Sequence, residues 1–291
     1  MSSTTPDLRV ARIGISGWRY PPWRGSFYPR GLVQRRELEY AAARLDSIEI
    51  NGTFYALQRP QSFQRWREQT PEGFVFSVKG SRYITHMLRL RNTADALADF
   101  FASGVLALEE KLGPVLWQLP PSLRFDPEAL DGFLASLPRS VAEARRLASE
   151  HGRLEEGRRW LDTAADRPIR HALEVRHDSF LAPEFTRILQ ERDVAIVVAD
   201  TAGKWPVIRE VTSSGIVYIR LHGDTELYVS GYDEQALGRW AAAIRGWLSG
   251  EACPDGRGRD VYAYFDNDVK VRAPFDALRL RELLRPAQPS R

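Results

Sequence analysis

Glu174 and Arg176 stand two residues apart in the stretch Arg170-His-Ala-Leu-Glu-Val-Arg-His177. The same spacing recurs at Arg220 and His222 and at Glu49 and Asn51. Each pair occupies one parity of an otherwise apolar run, so in an extended strand both side chains leave the same face. The residue types suggest distinct chemistry. Glu49 and Glu174 are a candidate acid/base pair. Lys79 is an amine whose proton affinity responds to burial, fit for carrying a proton or forming an imine. His222 can shuttle a proton. Arg176 and Arg220 present planar, two-pronged donors suited to carboxylate or phosphate. Trp18 and Tyr55 can wall a pocket, whereas plain packing is the better expectation for Trp23. Asn51, Gln118, Asp200 and Asn267 add polar groups for holding a substrate.

The elements that would bring these groups together alternate along the chain. Strands are expected at 11–17, 47–52, 74–80, 113–119, 170–177, 194–200, 215–222 and 261–267. Helices are expected at 34–43, 61–69, 93–111 (with Asn92 as N-cap), from Asp126 and Pro127, and at 183–192, 233–247 and 274–284. The connection after the sixth strand is the weakest helical segment. Residues 139–166, rich in Ala, Arg and Glu, break the rhythm and read as an inserted helical arm. Strand–helix alternation of this kind predicts an α/β fold, a TIM (β/α)8-type parallel barrel, whose polar strand ends form a site at one mouth. An open doubly wound sheet is the rival. No third glycine follows Gly14-Ile-Ser-Gly17, so the dinucleotide loop such a sheet often carries is missing.

The chain has 291 residues, about what one such barrel needs, and 43% of them are hydrophobic. The expected organisation is a flexible stretch over 1–10, one domain over 11–285 and a frayed tail over 286–291. No apolar run is long enough for a membrane span, and the polar start lacks a signal segment, so a cytoplasmic location is expected. One cysteine, Cys253, excludes a disulfide within the chain. The net charge of +3 permits an anionic partner without demanding one. Only Lys79, Lys111, Lys204 and Lys270 are lysines among the 41 basic residues, which makes each lysine informative.

Two alternatives compete with a site. The polar strand ends could form a structural network in which Glu49 and Glu174 satisfy Lys79, Arg176 and Arg220. The basic residues Arg139, Arg145, Arg146, Arg153, Arg158 and Arg159 could contact DNA or RNA, although Glu143, Glu150, Glu155 and Glu156 interleave with them as on a solvated helix face. No cofactor is expected. A divalent metal on Glu49, Glu174, His222 and Asp266 is disfavoured, because three nearby cations compete for those carboxylates. A serine hydrolase is disfavoured by the absence of Gly-x-Ser-x-Gly.

The ordered motifs Gly14-Ile-Ser-Gly-Trp18, Ser47-Ile-Glu-Ile-Asn51, Leu116-Trp-Gln-Leu-Pro-Pro121, Glu174-Val-Arg-His177, Arg220-Leu-His-Gly223 and Tyr264-Phe-Asp-Asn267 resemble those of the YecE-like family (domain of unknown function 72). Phe27-Tyr-Pro29, Phe54-Tyr55 and Lys79 followed by Thr85-His86 add to the match, which runs from about 12 to 284. The resemblance implies a TIM-barrel-like fold and brings no established reaction. It places Trp18, Glu49, Asn51, Lys79, Gln118, Glu174, Arg176, Arg220, His222 and Asn267 at motif positions. This chain departs from the family at Phe180, where Trp is more common, and at Asp266, where an Asn-Asn pair is common. The expected function is an enzyme, a hydrolase, phosphodiesterase or lyase, acting by Glu/Lys acid–base chemistry on an anionic, phosphate-bearing small molecule. The alternatives are a nucleic-acid-binding protein or phosphodiesterase resembling barrels of the endonuclease IV type, and a non-catalytic small-molecule sensor. The oligomeric state has no signature in the sequence.

Overall fold

Among the described residues eight strands form the sheet, and each sends alternate side chains to two environments. In the computed structural model, which describes residues 9–285, the strands are β1 (Ala11–Ser16), β2 (Ser47–Ile50), β3 (Val75–Lys79), β4 (Leu112–Gln118), β5 (His171–Glu174), β6 (Ala195–Asp200), β7 (Ile216–Leu221) and β8 (Asp260–Phe265). All neighbours pair in parallel, and β8 pairs with β1, so the barrel is closed. The expectations for residues 1–8 and 286–291 lie outside the described residues. One parity, including Ile15, Ile48, Phe76, Trp117, Leu173 and Ile219, packs outward against the helices as the main core. The other parity fills the barrel with Leu116, Ala172, Ala195, Val197, Ala199, Ile216, Tyr218 and Tyr264.

Polar groups run through that interior. Tyr218 Oη donates to Glu49 Oε2 at 2.6 Å and lies 2.6 Å from Ser77 Oγ. Tyr264 Oη lies 2.7 Å from Ser47 Oγ, whose own partner is the Val75 carbonyl at 2.6 Å. Gly14 lets β1 approach β2 closely: a Cβ there would sit 2.0 Å from the Ser47 carbonyl oxygen, with the Tyr264 ring at 3.4 Å. Replacing Tyr218 by Phe leaves Glu49 one donor short in a dry place. The expected cost is about 1–3 kcal/mol, read as a lower urea midpoint with the slope unchanged.

The helices are α1 (Glu37–Ala42), α2 (Gly52–Tyr55), α3 (Pro60–Glu68), α4 (Ala94–Ala102), α5 (Pro127–Ala135), α6 (Val141–His151), α7 (Pro183–Glu191), α8 (Glu234–Ser249) and α9 (Ala273–Leu284). Asp126 caps α5 by accepting from the Ala129 amide at 3.0 Å, with Pro127 in the first turn as expected. The long helix expected over 93–111 is broken twice. Gly104, at φ 120°, ends α4, and the tighter helical stretch that follows, Val105–Lys111, is itself kinked at Glu109, whose φ is 51°. Asn92 is not the cap: it sits at φ 52° and Thr93 takes that position. The strand expected over 170–177 stops at Glu174, so Arg176 and His177 belong to the loop beyond it. The inserted arm is α6 plus a largely irregular return. Val141, Ala144 and Ala148 bury one face of α6, which packs on α4. Residues 201–215, between β6 and β7, contain no helix.

Candidate functional site

The C-terminal ends of β2, β3, β4, β5, β7 and β8 bring a set of charges together. Arg220, fully buried on β7, lies at its centre. Its Nη1 donates to Glu174 Oε2 at 2.6 Å, and its Nη2 donates to Glu49 Oε1 at 2.9 Å and Asp266 Oδ2 at 3.0 Å. Ser16 Oγ donates to Glu49 Oε1 at 2.5 Å and accepts from Asn51 Nδ2 at 2.8 Å. Arg176 Nε donates to Glu174 Oε1 at 2.8 Å, and its guanidinium lies 3.9 Å over the Trp205 ring. His222 is buried, with Nδ1 3.1 Å from Asp266 Oδ2 and Nε2 3.7 Å from Glu174 Oε1.

These contacts decide the protonation of the acids. Burial pushes the Glu174 carboxyl up, but Arg176, Arg220, His222 and Lys79 together hold it well below the usual carboxylate range. Asp266 is likewise opposed by burial and is drawn down to about 2, mainly by Arg220. Glu174 therefore holds Arg176 and Arg220 as a carboxylate, Glu49 is taken up by bonds from Arg220, Ser16 and Tyr218, and neither glutamate faces open space. The position a cation would take between Glu49, Glu174 and Asp266 is filled by the Arg220 guanidinium. Among the described residues no group of three His, Cys, Asp or Glu side chains is arranged to hold a metal.

Above this layer a cavity of about 550 Å³ opens to solvent. Its walls are Tyr20, Asn51, Phe54, Tyr55, Lys79, His86, Gln118, Arg176, Tyr228, Asp266 and Asp268. Lys79, 8% exposed, differs from the other interior charges. Its ammonium lies 4.4 Å over the Phe54 ring and makes no hydrogen bond or ion pair among the described residues. Burial, and then the Arg220 charge, lower its pKa to about 8, against the pull of Glu49, Glu174 and Asp266. The structural-network alternative thus accounts for Arg176 and Arg220 and leaves Lys79 out. Asp268 is pushed up to about 6 by burial and by Asp266 beside it. His86 is lowered to about 4, by burial first and then by Arg82, Lys79 and Arg176, so it is neutral at pH 7.

Of the residues expected at the site, Asn51, Tyr55, Lys79, Gln118 and Arg176 line the cavity, while Glu49, Glu174, Arg220 and His222 lie beneath it. Three do not converge there. Asp200 has the wrong parity, because Ala195, Val197 and Ala199 fill the interior positions of β6; its side chain bonds Tyr232 instead. Asn267, next to the interior-facing Asp266, donates to the Ser230 carbonyl at 2.9 Å and to Asp276 at 2.8 Å, tying loops together. Trp18 follows Gly17, whose φ of 80° turns the chain, and packs edge-on against Trp66 on the helix side. Trp23 is fully buried against Tyr20, Phe27 and Tyr28, in line with the packing role. Tyr20, Phe54, His86, Tyr228 and Asp268 line the cavity without having been expected there. Of the arginine run, Arg139 is partly buried and reaches the Leu134 carbonyl, Arg153 pairs with Asp95 while staying exposed, and Arg145, Arg146 and Arg158 are exposed.

The motif match is borne out over most of the chain, since the profile of the family described as "Protein of unknown function DUF72" matches residues 12–291. The chain belongs to the DUF72 family. Its relatives include the UPF0759 protein YunF of Bacillus subtilis, 29% identical over 94% of each chain. The UPF0759 protein YecE of Escherichia coli is 34% identical over 129 residues, and the matched stretch spans 44% of that relative. A DUF72 family protein from Thermotoga maritima shares the fold with a TM-score of 0.74 at 23% identity, over 94% of this chain and 99% of that one. A DUF72 protein from Enterococcus faecalis does so with a TM-score of 0.69 at 17% identity, covering 97% and 100%. Within this DUF72 chain both sequence departures have structural counterparts. Phe180 is buried against Phe125 and Phe185, and Asp266 supplies the third carboxylate on Arg220. No helix among the described residues is long and apolar enough to cross a membrane.

Proposed function

We propose that this protein is an enzyme that takes a small anionic molecule into the mouth cavity and uses Lys79 as its reacting or proton-carrying group. One observation carries the reading: Lys79 is a buried amine without a partner among the described residues, while the charges below it are paired. Keeping an unpaired cation out of water is costly, and a bound anion removes that cost. Arg176 is the second cation on the cavity wall and already shares its charge with Glu174. With Arg220 engaged by three carboxylates, and with Asp266 and Asp268 also lining the cavity, it suits a singly charged group better than a phosphate dianion. Asp268 is the acid/base partner in this reading, in place of Glu49 and Glu174. The buried, unpaired Cys253 is in keeping with a cytoplasmic setting.

The test is a thermal-shift panel of carboxylates, inorganic phosphate and sugar phosphates against wild type, Lys79→Met and Arg176→Met. At least one anion is expected to raise the wild-type melting temperature by several degrees and to do little for either variant. A wild type indifferent to the whole panel, or variants that respond equally, rejects the reading. A non-catalytic sensor would show the same binding with no product released into solution.

A further inference from the structure

The geometry points to a covalent step: Lys79 attacks the carbonyl carbon of a small oxo acid to form an imine, with Arg176 holding the substrate carboxylate. This inference rests on the mouth cavity being the anion site proposed above.

The backbone of Lys79 is pinned, because its carbonyl accepts from Thr53 Oγ1 at 2.6 Å. The side chain then emerges at the end of β3 and lines the same cavity as Arg176. Its Nζ faces the Phe54 ring rather than an acceptor, so nothing ties up its protons or its lone pair. Lys111 shows the contrast. It is also buried, but donates to the Arg67 carbonyl at 2.6 Å, the Thr70 carbonyl at 2.7 Å and Thr70 Oγ1 at 3.1 Å, as a structural lysine should. With a pKa of about 8, Lys79 is a neutral nucleophile in about one molecule in ten at pH 7. An exposed lysine is neutral far less often.

The step balances without a redox partner. The Nζ lone pair bonds to the carbonyl carbon, and the C=O π pair moves to oxygen. One amine proton passes to that oxygen, giving a carbinolamine. A proton delivered to the hydroxyl lets it leave as water while the nitrogen lone pair forms C=N. The cavity opens to solvent, so water can carry these protons, with Asp268 elsewhere on the lining as the acid/base group of the reading above.

The experiment is reductive trapping with sodium borohydride, using pyruvate, glyoxylate and the uncharged acetaldehyde as probes, followed by peptide mass mapping. Four lysines make the chain its own control, since Lys204 and Lys270 are exposed. Adducts are expected on Lys79 at least about tenfold faster than on Lys204 or Lys270, given its larger neutral fraction. The oxo acids should outpace acetaldehyde, and Arg176→Met should erase that advantage. Equal labelling of the exposed lysines, or no label on Lys79 from any probe, overturns the imine. This comparison lies within the wild-type protein, so it holds even if a variant fails to fold. Selective trapping of acetaldehyde with no preference for oxo acids would keep the imine and sink the anion site. An Arg176-dependent thermal shift by pyruvate without an adduct would keep the anion site and sink the imine.

Discussion

Arg220→Met is expected to unfold this protein at neutral pH, or to leave it barely stable. The guanidinium is buried and bonded to Glu174 at 2.6 Å, Glu49 at 2.9 Å and Asp266 at 3.0 Å. Removing it leaves three carboxylates facing one another with little water. Breaking one buried pair costs about 3–5 kcal/mol, and a domain's whole stability is about 5–15 kcal/mol. The pH dependence should also invert. In the wild type, Glu174 and Asp266 have folded pKa values below their unfolded ones. Their contribution is present above about pH 4 and is lost as pH falls toward the folded value, about 2 for Asp266. In the variant the same carboxyls repel one another and their pKa values rise. Its stability should then be greatest in mild acid and fall as pH climbs toward 7. Urea denaturation from pH 4 to 8 measures both curves. A variant within about 1 kcal/mol of wild type at pH 7 would show that the three acids do not depend on Arg220.

The convergence of Glu49, Lys79, Glu174 and Arg220 was readable because each is a charge on one parity of an apolar strand. A period of two leaves such a residue either in bulk water or inside the barrel, and helices on the outer face exclude the first. Asp200 failed for the same reason. Both parities of β6 are apolar, so nothing in Val194-Ala-Ile-Val-Val-Ala-Asp200 says which faces inward. Ala195, Val197 and Ala199 take the interior because the neighbouring β7 brings Tyr218 and Arg220, which leave room only for small side chains. Tyr20, Tyr228 and Asp268 come from loops, where no period links position to direction. The division of labour among the charges was also hidden. Residue types alone made Glu174 and Lys79 equally good acid/base candidates. Which of them is paired depends on where Arg220 points, and that is a matter of three dimensions.

Lys79→Met is expected to abolish ligand binding and turnover while making the fold more stable at pH 7. Those effects pull in opposite directions, and a structural lysine would lose both. The pKa of Lys79 falls from its ordinary 10.5 to about 8 on folding, chiefly through burial. At about 1.4 kcal/mol per pH unit, holding the charge there at neutral pH costs about 3 kcal/mol relative to water. A methionine of similar length removes that cost and can rest on Phe54, at the price of whatever support the charge lent Glu49 and Glu174. Because the folded value is the lower one, the unfolded chain binds the extra proton between about pH 8 and 10.5. Wild-type stability should therefore rise across that interval, and the rise should be missing in Lys79→Met. The two curves should lie furthest apart at neutral pH and converge near pH 10. Urea titrations at pH 7, 8.5 and 10, set beside anion-induced melting shifts of the same two proteins, read both halves of the prediction. A Lys79→Met protein less stable than wild type at pH 7 would place Lys79 inside the Arg220 network after all, as a structural charge and not as the amine on which the site turns.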